Sequence, residues 1–118
     1  MSFAKTMRSR HEVERTRVLN DAFRIMVGRG CRTCLTSSVA ALPRRERRLI
    51  RHAISTFDDF TEENDPTGER DFGTFEAFGQ RFVFKIDYYA PDMKRESFDP
   101  SDNRVTRRVL TVMKPDEF

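Results

Sequence analysis

The stretch Arg81-Phe82-Val83-Phe84-Lys85-Ile86-Asp87-Tyr88-Tyr89 decides the fold. Its period of two puts Phe82, Phe84, Ile86 and Tyr88 on one face and Val83, Lys85, Asp87 and Tyr89 on the other, which is the pattern of a strand with one face in a core. Residues 72–78 are aromatic-rich and alternate in the same way, and Gly79 separates the two runs, so the pair reads as a β-hairpin. A third strand is expected at 105–113, rich in β-branched residues and stopped by Pro115.

Upstream, the period changes. Residues 5–27 read as a helix whose apolar side is Leu19, Ala22, Phe23 and Met26, ending at Gly28 or Gly30. Residues 31–36 suit a short strand, and Ser37 or Ser38 suits the cap of one turn through Leu42. Pro43 then fits the first turn of a helix reaching Phe57, with Leu49, Ile50, Ala53, Ile54 and Phe57 on one side. The expected fold is therefore α+β, with two main helices packed on one face of a small antiparallel sheet of three to four strands.

The 118 residues make one domain, 1–118, with residues 1–10 expected to be a flexible basic N-terminus. At 37% hydrophobic residues, with eleven Phe, the chain has material for a core. No apolar run approaches the roughly 18 residues of a membrane helix, and the N-terminus lacks the apolar stretch of a signal peptide, so a cytoplasmic location without membrane contact is expected. Two cysteines exclude the disulfide framework of small secreted domains.

Charge is segregated along the chain. Residues 1–56 hold 13 Lys and Arg against 4 Asp and Glu, residues 57–103 hold 5 against 13, and the remainder holds 4 against 2. Two surfaces follow from this. Arg44, Arg45, Arg47, Arg48, Arg51 and His52 fall on the polar side of the second helix, an arrangement suited to phosphates or to an acidic protein face. Asp58, Asp59, Glu62, Glu63, Asp65, Glu69 and Asp71 lie in a turn-rich stretch whose Asp65-Pro66-Thr67-Gly68 matches a type I turn. With Asp92, Glu96, Asp99 and Asp102 in the next loop, they could imitate a phosphate track.

Four strings in order, Leu19-Asn20-Asp21-Ala22-Phe23-Arg24, then Asn64-Asp65-Pro66-Thr67-Gly68-Glu69-Arg70-Asp71-Phe72-Gly73, Lys85-Ile86-Asp87-Tyr88-Tyr89 and Thr106-Arg107-Arg108-Val109-Leu110-Thr111-Val112-Met113, resemble a family of small bacterial proteins of unknown function. The resemblance spans roughly residues 15–118. It implies a gene carried on plasmids and other mobile elements, near anti-restriction functions, and it brings over no catalytic residue.

Catalytic and metal chemistry find little support. Cys31-x-x-Cys34 has the spacing of a redox pair or half a zinc site, but no second cysteine pair completes it. His11 and His52 read as surface residues. Aligning Gly68 with the sixth position of a calcium loop puts Thr74 at the twelfth, where a bidentate carboxylate is required. Asp71-Phe72-Gly73 also occurs in kinases, whose glycine-rich loop and length this chain lacks. An acid pair such as Asp71 and Asp87 makes an enzyme only if a cleft fixes their separation.

The sequence therefore points to a non-enzymatic protein without cofactor or metal. Its expected partner is a protein or protein–nucleic-acid complex, in the most concrete form a bacterial nucleic-acid-targeting defence complex of the CRISPR or restriction type that it inhibits. The alternative is direct DNA or RNA binding through the arginine face. A homodimer is a further expectation, with the edge strand at 31–35 pairing with its counterpart in a second copy.

Overall fold

A computed structural model describes residues 8–29 and 32–118. The expectations for residues 1–7, and for Cys31 as half of a cysteine pair, lie outside the described residues.

Helix α1 spans Arg10–Ile25, and Ser9 caps it by accepting the Glu12 N–H at 3.2 Å. Strand β1, Thr33–Leu35, leads into the single turn α2, Ser37–Ala40, and then α3, Arg44–Ser55. Pro43 sits just ahead of α3 as its N-cap rather than inside its first turn. Strands β2, Phe72–Ala77, and β3, Gln80–Tyr89, form the expected hairpin. Its two turn residues, Phe78 and Gly79, both have positive φ, 42° and 78°, as a type I′ turn requires. Strand β4, Arg107–Met113, and a 3-10 turn, Pro115–Glu117, complete the chain.

The fold is α+β, built on a four-stranded sheet of order β1-β4-β3-β2. One expectation is corrected: the sheet is mixed. β2, β3 and β4 are antiparallel, but β1 runs parallel to β4 with Thr33 opposite Leu110 and Leu35 opposite Val112. Strand direction follows from where the intervening helices return the chain, and no residue within the three-residue β1 encodes it.

Phe82, Phe84 and Ile86 face the core together with Phe75, Leu110 and Val112, as the alternation requires. Ile50 and Ile54 of α3 close over them at 1% and 0% exposure. Each such side chain is worth about 1.5–3 kcal/mol of burial. Leu49, expected on this face, is instead largely exposed. Gly73 lets β2 approach closely: a Cβ there would lie 2.4 Å from Phe84 Cε2 and 2.9 Å from Phe57 Cε2.

α3 packs mainly on β2, and α1 packs on α3 and reaches the sheet through polar groups. The buried stripe of α1 is Thr16, Asn20 and Arg24, four residues apart, whereas Ala22, Val18, Ile25 and Met26 are exposed. The apolar side expected for this helix is thus only partly its buried side: Phe23 packs against the core and Leu19 is half-buried, while Ala22 and Met26 are exposed.

Candidate functional site

The buried stripe of α1 feeds a polar network. Asn20 Nδ2 donates to the Glu69 backbone oxygen at 3.0 Å and to the Tyr88 hydroxyl at 2.8 Å, and the Tyr88 hydroxyl donates to Glu69 Oε1 at 2.9 Å. Arg108 Nε donates to Asn20 Oδ1 at 2.7 Å, and its other nitrogens reach Asn103 Oδ1 and the Pro100 carbonyl. Arg8 pairs with Glu69, and the Arg8 and Arg108 guanidinium carbons lie 5.6 and 5.4 Å from the Tyr88 ring centroid. Burial, with the Asp71 and Glu69 carboxylates nearby, holds the Tyr88 phenol far above the ordinary tyrosine range, so it remains a hydrogen-bond donor. Burial also lowers the Arg108 pKa, against the opposing pull of the Glu69 carboxylate.

A second knot lies beside it. Asp21 bonds Arg24 and Arg70, each at 3.0 Å, and both guanidinium groups stack on Phe60. Arg24 also donates to the Phe57 carbonyl, and Arg17 to that of Gly68 at 2.6 Å. The two knots fasten α1 to the 64–71 loop, so the strings around Asn20 and Glu69 meet in space. Sequence reasoning assigned no such role to Asn20, Tyr88 or Arg108; the four-residue spacing of Thr16, Asn20 and Arg24 was the signal that could have found this face.

This arrangement divides the anticipated acidic surface. Asp58, Asp59, Glu62 and Glu63 are exposed, Asp65 is half-buried, and Glu69 and Asp71 are buried. Asp65 accepts the Arg70 N–H at 3.1 Å, yet burial raises its pKa, helped by the Asp71 charge. Asp65, Asp71 and Asp87 line one open groove of about 650 Å³, walled by Phe72 and Phe118, in which Lys85 pairs with Asp87 at 3.1 Å. Among the described residues no group of three or more His, Cys, Asp or Glu is placed to hold a metal ion. Cys34 is an exposed free thiol in β1.

The anticipated basic surface is outside. Arg44, Arg45, Arg48 and His52 are exposed, and Arg47 and Arg51 are half-buried. Among the described residues none of these arginines forms an ion pair, and neither do Asp58, Asp59, Glu62 and Glu63. Among the described residues the α3 arginines and these four carboxylates therefore do not pair with one another, whereas Glu69 is held by Arg8. Arg47 turns toward a small cavity of about 160 Å³ lined by Val27, Val39, Ile50 and Val112. Arg48, Arg51 and His52 join Arg29, from the turn after α1, along an open groove of about 630 Å³, and Arg51 lines the small cavity as well. Arg29 was not part of the anticipated surface, because only the fold brings the end of α1 beside the end of α3.

No helix among the described residues is long and apolar enough to cross a membrane. No curated protein and no solved structure matches the chain. The family model DUF3768, described as a protein of unknown function, matches residues 35–117. That span takes in α3, the acidic stretch and the Glu69, Tyr88 and Arg108 members of the buried network, and on it the chain belongs to the DUF3768 family.

Proposed function

We propose that this protein is a non-enzymatic binding protein whose arginine face on α3 contacts the phosphates of a nucleic acid. The observation that carries the reading is the exposed row Arg44, Arg45 and Arg48, continued by Arg51, with no carboxylate paired to it among the described residues. A guanidinium already held by a carboxylate must give up that partner to take a phosphate, and these need not. Along the helix axis Arg44 and Arg51 are separated by about 10 Å. That length spans about three steps, and so about four phosphates, of a strand rising about 3.4 Å per nucleotide.

Fluorescence anisotropy with labelled DNA and RNA oligonucleotides tests it. Binding at 50 mM salt that weakens steeply by 200 mM, and is abolished by the triple change Arg44→Glu, Arg48→Glu and Arg51→Glu, is the expected result. Absence of binding by the wild type at low salt sinks the reading.

A second reading rests on the exposed, unpaired carboxylates Asp58, Asp59, Glu62 and Glu63. In it they cover the basic residues with which a nucleic-acid-targeting defence complex, of the CRISPR or restriction type, holds its substrate, and the protein inhibits that complex. Lysine replacements at the four positions then abolish inhibition. Inhibition that survives all four removes this version.

A further inference from the structure

The groove beside α3 gathers arginines from two elements in one concavity. The α1 exit turn forms one wall and the last two turns of α3 the other, and Arg29, Arg48, Arg51 and His52 all line it. The Arg51 stem crosses Gly28, where φ is +79° and an added Cβ would sit 2.3 Å from Arg51 Cδ. Only a residue without a side chain leaves that path open.

At the end of α3 one carbonyl is fully engaged. Helix C-terminal carbonyls ordinarily repel an anion. Here the His52 carbonyl already accepts the Thr56 N–H at 3.1 Å, the Ser55 hydroxyl at 3.0 Å and the Thr56 hydroxyl at 2.8 Å. The groove therefore presents three permanent guanidinium charges and an imidazole.

An internal phosphodiester carries one negative charge, whereas a phosphomonoester carries about 1.5 to 2 and three terminal oxygens. Three arginines along one concavity match the second better than the first. Building on the nucleic-acid reading above, we propose that this groove seats a phosphomonoester, the terminal phosphate of a strand whose internal phosphates run along Arg44 and Arg45. The protein then prefers phosphorylated strand ends over hydroxyl ends.

The experiment compares one labelled single-stranded oligonucleotide with a 5′-phosphate, a 3′-phosphate or hydroxyls at both ends, by anisotropy at fixed salt. One of the phosphorylated forms is expected to bind about tenfold more tightly than the hydroxyl form. Arg29→Gln and Arg51→Gln should each bring that ratio to about one. The ratio is read within a single protein preparation, so loss of folded protein does not imitate the effect. Equal affinity for all three strands overturns this inference and leaves the broader reading standing, whereas no binding of any strand overturns both. Displacement of the phosphorylated strand by inorganic phosphate or a nucleoside monophosphate at the concentration at which unlabelled strand displaces it assigns the groove to a free phosphate ligand. Equal displacement by polyglutamate assigns it to an acidic protein face. Either result overturns the strand-end proposal.

Discussion

Arg8 Nη2 stands 2.5 Å from Glu69 Oε2, with the two side chains 3% and 0% exposed. Arg8 directly precedes the Ser9 cap of α1, and Glu69 lies in the loop leading to β2, so this pair joins the start of the first helix to the start of the hairpin. Removing one member of a buried ion pair leaves a charge without its partner and costs about 3–5 kcal/mol. Glu69→Ala and Arg8→Ala should each lower stability by roughly that amount in urea denaturation. Replacing both with apolar residues of similar volume should recover only part of the loss, because the Tyr88 hydroxyl loses Glu69 Oε1 as an acceptor. An unchanged denaturation midpoint for Glu69→Ala contradicts the role assigned to the pair.

Gly73 and Gly79 separate two reasons for having glycine. At Gly73 the backbone conformation is ordinary and space is lacking, since a Cβ would meet the rings of Phe84 and Phe57. At Gly79 space is free but φ is +78°. Gly73→Ala should cost about 1–3 kcal/mol through overpacking against two aromatic rings. Gly79→Ala should cost about 1 kcal/mol through left-handed strain. A thermal melt in which Gly79→Ala has the larger effect contradicts the packing of Gly73 against Phe84.

The hairpin and α3 were legible because their periods are strong and tertiary structure agrees with them: Phe82, Phe84 and Ile86 are inside, as are Ile50 and Ile54. α1 was legible as a helix, but its orientation was not. The hydrophobic pattern selects an apolar side, whereas this helix also buries Thr16, Asn20 and Arg24, and tertiary partners of Asn20 and Arg24, namely Tyr88, Phe57 and Arg108, lie 33 to 88 residues away in sequence. For the same reason Glu69 looked like one more carboxylate of a solvated loop. The arginines of α3 were easier, since an exposed charged face needs no distant partner to explain it; Arg29 became visible only with the fold.

Glu117 should make the C-terminal turn sensitive to acid. Its carboxylate accepts the Lys114 N–H at 2.7 Å, the Ser38 hydroxyl at 2.9 Å and the Thr36 hydroxyl at 3.0 Å. These bonds, the Lys114 N–H first, hold its pKa below the ordinary 4.5. A lowered carboxylate pKa stabilises the folded form above the unfolded value and loses that contribution as pH falls through the folded one. Asp65, raised above 3.8, works in the opposite direction, favouring the fold at low pH and losing its contribution as pH rises through its folded value. Below pH 4.5 the Thr36 and Ser38 amide resonances should therefore shift as the Pro115–Glu117 turn releases. Glu117→Gln should remove the transition. The same pH-dependent shift persisting in that variant points to another group.

The salt dependence of nucleic-acid binding should count the arginines of α3. Each phosphate neutralised on duplex DNA contributes about −0.9 to the slope of log K against log salt. Arg44 and Arg45, if each meets one internal phosphate, account for about −1.8 of that slope. Arg44→Gln with Arg45→Gln should then reduce it by about 1.8, because both side chains are exposed and neither belongs to an ion pair among the described residues. Sequence changes in the duplex should leave the affinity almost unaltered, since contacts to phosphate position a protein without reading bases. A slope insensitive to the double change places the phosphates elsewhere on the surface. A strong dependence on base sequence requires contacts in a groove that the arginine row alone does not supply.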